Sequence, residues 1–106
     1  MALMELIAAA SVQAPGTTAP QKIQAGNFNI NIVTANNAVE SGIISFPVPY
    51  NSPPTVIACL SGTSGGNAGY SYVTVVGSGV TTTGFQAIGD SYLAQTLNVS
   101  WLAIGN

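Results

Sequence analysis

Side chains suited to holding a small polar ligand occur in two short stretches of the chain. Asp90, Ser91 and Tyr92 are consecutive, and Asn67 and Tyr70 lie three positions apart in an earlier glycine-rich stretch. An aromatic face beside a few oriented amide, hydroxyl or carboxylate groups is a common means of recognising a sugar. The sequence therefore predicts a ligand-binding surface that contains these residues.

The residue types needed for catalysis are largely missing. The chain has no histidine, one cation (Lys22) and three acids, of which Glu40 and Asp90 lie outside the N-terminal stretch. Nucleophilic catalysis needs a base beside the nucleophile, and hydrolysis by paired carboxylates needs two acids at a set separation. Nothing in the sequence brings Glu40 and Asp90 together, so we expect no enzymatic activity.

Metal and cofactor sites are not expected either. Cys59 is the only cysteine, and a single thiol without histidine builds neither a zinc site nor an internal disulfide. We predict that Cys59 is a buried, inert thiol in an apolar strand. The glycine-rich stretch 61–69 lacks the Gly-Lys-Ser or Gly-Lys-Thr sequence of phosphate-binding loops, and it is interpreted as a connection between strands.

The composition excludes some classes of partner. Charged residues form 4% of the chain and hydrophobic residues 47%, whereas globular domains average about 25% charged residues. A chain this neutral is expected to cover much of its surface in an obligate oligomer or a larger particle. One lysine cannot provide the basic surface that binding to nucleic acids or anionic membranes requires. Pro15 ends the apolar N-terminal run before the roughly 20 residues of a transmembrane helix, so we expect no nucleic-acid partner and no membrane insertion.

The pattern after the N-terminal stretch predicts an all-β fold. Leu97, Val99, Trp101 and Ala103 alternate with Asn98, Ser100, Leu102 and Ile104, which indicates a strand that is apolar on both faces near its end. Such a strand is usually central in its sheet or covered by another subunit. About six short strands separated by turn residues predict a small six-stranded antiparallel β-sandwich over residues 26–106. Trp101 and Tyr72 are predicted to pack in its core.

Residues 1–25 are predicted to form a separate N-terminal arm, helical or extended. Residues 2–13 favour a helix, and four apolar residues spaced for one helical face would anchor the arm to a partner: Leu3, Leu6, Ile7 and Ala10. The alternative is a frayed terminus, because a helix of this length is marginal alone in water. Residues 14–20 contain two prolines and a glycine and are interpreted as a linker.

Four motifs in order carry a resemblance to a known family. They are Ser41-Gly-Ile-Ile-Ser-Phe46, Pro53-Pro-Thr-Val56, Thr83-Gly-Phe85 and Val99-Ser-Trp-Leu-Ala-Ile-Gly105. Together they make the segment from Ser41 to Gly105 resemble the H-type lectin domain and the similar C-terminal domains of bacteriophage tail fibres. The resemblance implies a six-stranded antiparallel sandwich that assembles as a homotrimer, with sugar bound in clefts near the subunit boundaries.

The resemblance does not supply binding residues. Animal lectins of this family surround the sugar with charged and aromatic residues that include histidine and arginine, and this chain has neither. The neutral surface and the separate arm are more similar to a phage fibre than to a soluble lectin.

The leading hypothesis is therefore a non-enzymatic, homotrimeric phage tail fibre or receptor-binding protein. It would be made in the host cytoplasm, attach to a baseplate or other virion protein through residues 1–25, and recognise a glycan on the host surface. One alternative is a structural virion component, such as a capsid decoration or baseplate protein, without a receptor role. The other is a free carbohydrate-binding lectin.

Overall fold

Two β-sheets pack face to face in a computed structural model that describes residues 10–12, 21–65 and 71–106. The strands are β1 (Ala10–Val12), β2 (Gln21–Ile32), β3 (Val39–Glu40), β4 (Ile44–Ser45), β5 (Thr55–Thr63), β6 (Ser71–Val75), β7 (Gly84–Phe85), β8 (Ala87–Ser91) and β9 (Gln95–Gly105). The first sheet has the order β1-β2-β9-β5, the second has the order β3-β8-β6, and β4 and β7 form a small third pair.

All strand pairs are antiparallel, which confirms the predicted antiparallel sandwich, although the described residues form nine strands and not the predicted six. The described residues contain no α-helix; one 3-10 turn at Gly77–Gly79 is their only helical element.

The last strand, β9, is the centre of the four-stranded sheet. It pairs with β2 along one side and with β5 along the other. Leu97, Val99, Trp101 and Ala103 are buried, whereas the alternate residues Asn98, Leu102 and Ile104 are exposed. The predicted alternation is therefore confirmed, and of the two positions expected for such a strand, central in its sheet or covered by another subunit, the structure shows the central one.

An aromatic cluster fills the space between the sheets. The Phe85 ring is fully buried, and its centroid lies 5.3 Å from that of Trp101, 5.8 Å from that of Phe46 and 6.0 Å from that of Phe28. These edge and offset contacts are the arrangements that aromatic rings prefer. Around the cluster the core contains Ile30, Ile32, Tyr50, Ala87, Leu97, Val99 and Ala103.

Gly26 makes room for the tryptophan of this cluster. It lies directly opposite Trp101 in the β2–β9 pair, and a Cβ at Gly26 would come within 2.8 Å of the indole Nε1. Any larger residue would therefore displace the ring that the core packs around. This is a packing requirement that the sequence pattern did not reveal.

Prolines limit the strand that begins at Ile44. β4 ends at Ser45, before Pro47 and Pro49, because proline has no backbone N–H to donate to a neighbouring strand. Beyond the end of β4, a side chain takes the place of backbone pairing between strands. Gln24 Nε2 donates to the Val48 carbonyl (2.7 Å), and the Val48 N–H donates to Gln24 Oε1 (2.8 Å). Gln24 is itself buried, so this pairing holds the segment after β4 onto β2.

The N-terminal boundary differs from the predicted one in two respects. The sheet strand β2 begins at Gln21, so the predicted division after residue 25 falls inside a strand. Ala10–Val12 form β1, which pairs with β2 at the sheet edge, so the helix predicted over residues 2–13 is wrong at these three positions. Leu3, Leu6 and Ile7 lie outside the described residues.

Two expectations about burial are wrong. Cys59 is exposed, because it lies on the outer face of β5, which has solvent on that side. Tyr72 is 54% exposed, because β6 turns Val73 and Val75 toward the core and its tyrosine outward. No helix in the part of the chain that the structure describes is long and apolar enough to cross a membrane.

Tyr50 provides a pH-dependent contribution to stability. Burial raises the pKa of its phenol above the ordinary value of 10.0, and a side-chain hydrogen bond with Gln24 lowers it in part. The hydroxyl donates to the Ala103 carbonyl at 3.1 Å. Because the unfolded chain loses this proton first, the contribution is fully present below pH 10 and is lost as the pH rises through the pKa of the folded state.

We expect the free energy of unfolding in urea to fall more steeply between pH 9 and 11 for the unmodified protein than for Tyr50→Phe, which has no ionisable group at position 50. Tyr50→Phe is itself expected to cost about 1 kcal/mol at neutral pH for the lost hydrogen bond. Tyr72→Phe, at an exposed position, is the control and should follow the unmodified protein. Equal pH slopes for all three proteins would contradict the assignment.

Candidate functional site

The predicted ligand-binding residues are only partly brought together. Asp90 and Ser91 end strand β8, and Tyr92 follows in the bend before β9. Asn67 and Tyr70 lie outside the described residues. Asp90 and Ser91 are therefore positioned by the end of the central strand of the three-stranded sheet, and Tyr92 by the bend that follows it.

Ser91 is buried in a polar network. Its hydroxyl oxygen accepts hydrogen bonds from Gln95 Nε2 (2.7 Å), from the Ser71 hydroxyl (2.9 Å) and from the Leu93 N–H (3.2 Å). Gln95 Oε1 in turn accepts from the Gly65 N–H at 3.0 Å. The network ties Gly65 and Ser71 to β8 and β9, and it engages the Ser91 hydroxyl within the fold.

A second set of polar and aromatic side chains lies on the outer face of the three-stranded sheet. Cross-strand pairing places Tyr72 opposite Asp90, and Glu40 and Thr74 opposite Ile88. Paired residues share a face, so these five side chains form one surface, which we call the tyrosine face. Its aromatic ring is the exposed Tyr72.

The tyrosine face has a defined local geometry around Asp90. One carboxylate oxygen, Oδ1, accepts the Ser91 N–H at 2.7 Å, and the other, Oδ2, lies 3.5 Å from the Tyr72 hydroxyl. The first contact fixes the carboxylate, whereas the second is at the long limit of a hydrogen bond. Oδ2 therefore keeps capacity to accept hydrogen bonds from a ligand.

Sequence reasoning missed most of this face. It included Asp90 in the predicted site, but it assigned Tyr72 to the core and found nothing that joined Asp90 to Glu40. The two acids share a face because Glu40 of β3 pairs with Ile88 of β8, and Asp90 lies two residues after Ile88 on the same strand. That pairing is not local in the sequence. The one available signal was the alternation of Tyr72 and Thr74 with Val73 and Val75, which separates two faces without saying which is outward.

The outer face of the four-stranded sheet is divided into a polar and an apolar part. Asn27 pairs with Ser100, Asn29 with Asn98 and Asn31 with Thr96, and these uncharged side chains cover one end of the sheet. The other end is apolar and is called here the apolar surface: Ile23, Ile57, Leu102 and Ile104. Ile57 is 59% exposed and Leu102 and Ile104 are 37% and 38% exposed, values unusual for large aliphatic side chains that share a face.

The apolar surface continues into a shallow groove of about 430 Å³ between the edge strands β5 and β6. Valines, alanine and Ile57 provide most of its lining. It offers no charged side chain that could orient a small polar ligand, so its chemistry suits another apolar surface. Among the described residues, no group of three or more histidine, cysteine, aspartate or glutamate side chains could hold a metal ion.

Comparisons with solved structures show several proteins that share this fold. The N-truncated R1-type pyocin tail fibre matches with a TM-score of 0.63 and 20% identity over 92% of this chain and 85% of that chain. A C-terminal fragment of the Pseudomonas aeruginosa R1 pyocin fibre matches with a TM-score of 0.62 and 20% identity over 82% of this chain and 24% of the fragment. The tailspike of Acinetobacter baumannii bacteriophage AP22, in complex with A. baumannii capsular saccharide, matches with a TM-score of 0.61 and 19% identity over 81% of this chain and 17% of the tailspike.

At these identities the likeness concerns the fold, and this chain spans only a small part of the longer proteins. No curated protein matches the chain significantly. The family itself rests on the sequence: the model of the H-type lectin domain matches residues 41–104, more than half of the chain and nearly the same segment that carries the four motifs. The chain belongs to the H-type lectin domain family.

Proposed function

We propose that this protein is a carbohydrate-binding attachment protein of a phage tail or a phage-like particle. The observation that carries the proposal is the H-type lectin domain over residues 41–104. The fold neighbours support it, because they include a pyocin tail fibre and a tailspike in complex with a capsular saccharide. In this role the sandwich binds a glycan on the host surface, and the protein works without catalysing a reaction.

The proposed assembly is a homotrimer. The support for an oligomer is the apolar surface with its exposed Ile57, Leu102 and Ile104, in a chain that contains almost no charge. Association through this surface would remove these side chains from water, at about 25 cal/mol for each Å² of apolar area buried. The segment before β2, with Leu3, Leu6, Ile7 and Ala10, is proposed to attach the trimer to a baseplate or other virion protein.

The assembly is tested by light scattering on the full chain and on Leu102→Asn. We expect the mass of a trimer for the unmodified protein and a shift toward monomer for the variant, because an amide is costly to bury without a partner. Asn29→Ser, on the polar part of the same sheet face, is the matched control and should remain trimeric. The reactivity of Cys59 gives an independent measure of association. Cys59 is the only thiol and lies on the outer face of the four-stranded sheet, so it should react more slowly with a maleimide in the trimer than in Leu102→Asn. A monomeric unmodified protein would contradict the proposed assembly.

The function is tested by binding of the fluorescently labelled full chain to host cells and to an array of bacterial surface glycans. Saturable binding that a soluble glycan competes for is the expected result. A protein that enters virions normally but binds neither cells nor glycans would instead be a structural component, and the attachment role would be wrong. Release of reducing sugar from a bound glycan would contradict the non-enzymatic part of the proposal.

A further inference from the structure

We propose that the tyrosine face is the sugar-binding site and that it takes an uncharged or amine-bearing sugar residue, not an acidic one. The inference rests on the proposed carbohydrate-binding function and adds the site and the class of ligand. In this arrangement the sugar ring lies against the Tyr72 ring, and its hydroxyl groups donate hydrogen bonds to Asp90.

The geometry for such binding already exists in the sheet. Tyr72 is 54% exposed on β6, and Asp90 is its direct partner on the central strand β8, so the ring and the carboxylate lie side by side. The Ser91 N–H holds the carboxylate through Oδ1. Oδ2 is left to accept hydroxyl protons from a ligand resting on the ring. Sites on strands hold such groups more rigidly than sites on loops do.

The distribution of charge selects the class of sugar. Two of the three acids in the sequence, Glu40 and Asp90, belong to this face. The only cation, Lys22, is on β2 in the other sheet, where its ammonium group donates to the Pro49 carbonyl at 2.8 Å. A uronate or phosphorylated sugar would bring a negative charge next to two carboxylates without a cation to pair with it. A neutral sugar meets no such penalty, and an amino sugar gains from the two acids.

The face also remains accessible in the proposed assembly. It is the outer side of the three-stranded sheet, whereas the apolar surface is the outer side of the four-stranded sheet. In a sandwich these two outer sides point in opposite directions. Association through one therefore leaves the other open to a ligand, so the proposed site differs from the clefts near subunit boundaries that the family resemblance implies.

The test is titration calorimetry on the full chain with three soluble probes of similar length: N-acetylglucosamine oligomers, their deacetylated amine-bearing forms, and uronic acid oligomers. We expect binding of the neutral or the amine-bearing oligomers and at least about tenfold weaker binding of uronates. Tyr72→Ala should weaken binding at least about tenfold. Asp90→Asn should weaken the amine-bearing oligomers more than the neutral ones, because it removes the charge but keeps the shape. Val33→Ala, at an exposed position that is not part of the face, is the control and should bind as the unmodified protein does.

The possible outcomes distinguish a wrong binding site from a wrong function. Preferred binding of uronates, or binding of a neutral sugar that Tyr72→Ala leaves unchanged, would overturn the site or its ligand class while the carbohydrate-binding role stands. Failure to bind any oligomer, together with failure to bind host cells and glycan arrays, would overturn both. Circular dichroism of Tyr72→Ala that matches the unmodified protein excludes unfolding as the cause of lost binding.

Discussion

A chain that begins at Gly26 is expected to be much less stable than one that begins at Gln21. Residues 21–25 are the first part of β2, where residues 22–25 pair with the end of β9. They include Gln24, whose side-chain amide pairs with both backbone groups of Val48. Buried or half-buried polar groups that lose their partners cost about 1–3 kcal/mol each, so removing Gln24 alone should cost at least about 2 kcal/mol. The lost strand pairing adds to this.

The measurement is urea unfolding followed by tryptophan fluorescence, since Trp101 is the only tryptophan and is buried in the core. The chain that begins at Gln21 is the control, because it lacks β1 but keeps all of β2. Gln24→Leu in the full chain tests the amide separately, with a side chain of similar size and no hydrogen-bonding groups. Equal midpoints for the chains that begin at Gln21 and at Gly26 would contradict the prediction and would restore the division after residue 25.

Phe85→Ala is expected to lower the unfolding free energy by about 3–5 kcal/mol, the usual cost of truncating a fully buried phenylalanine. Its ring is inaccessible to solvent and contacts three other aromatic rings, so the neighbours cannot collapse into the space without giving up their own contacts. Small domains have about 5–15 kcal/mol of total stability. The variant should therefore lose about a fifth of the stability or more and unfold at a clearly lower temperature.

Calorimetric melting of the two proteins checks this expectation. Tyr72→Ala removes an aromatic ring of similar size from an exposed position, and it is expected to cost less than about 1 kcal/mol. A loss for Phe85→Ala no larger than that for Tyr72→Ala would show that the aromatic cluster is not the centre of the core.

The sequence alone was sufficient to predict several of the strands and turns of this protein. In β9 the alternation of Val99 and Trp101 with Asn98 and Ser100 predicts a strand with one buried face, and the structure has that strand at the centre of its sheet. Pro47 predicts the early end of β4. Residues 34–36 turn the chain after β2, with Asn36 at a positive φ of 60°, a conformation that asparagine tolerates better than most residues. These features are local, because they follow from the spacing and backbone preferences of neighbouring residues.

Only the tertiary structure decided where the candidate site lies. Alternation showed that Tyr72 and Val73 belong to opposite faces of β6, but both residues are suited to a core, so their types did not say which face is outward. Strand pairing between distant segments turned Tyr72 outward, set it beside Asp90 and placed Glu40 on the same face. The same kind of contact, between Gln24 and Val48, moved the start of the sandwich from Gly26 to Gln21. The period of a strand fixes which residues share a face, whereas the pairing of strands far apart in the chain determines what that face meets.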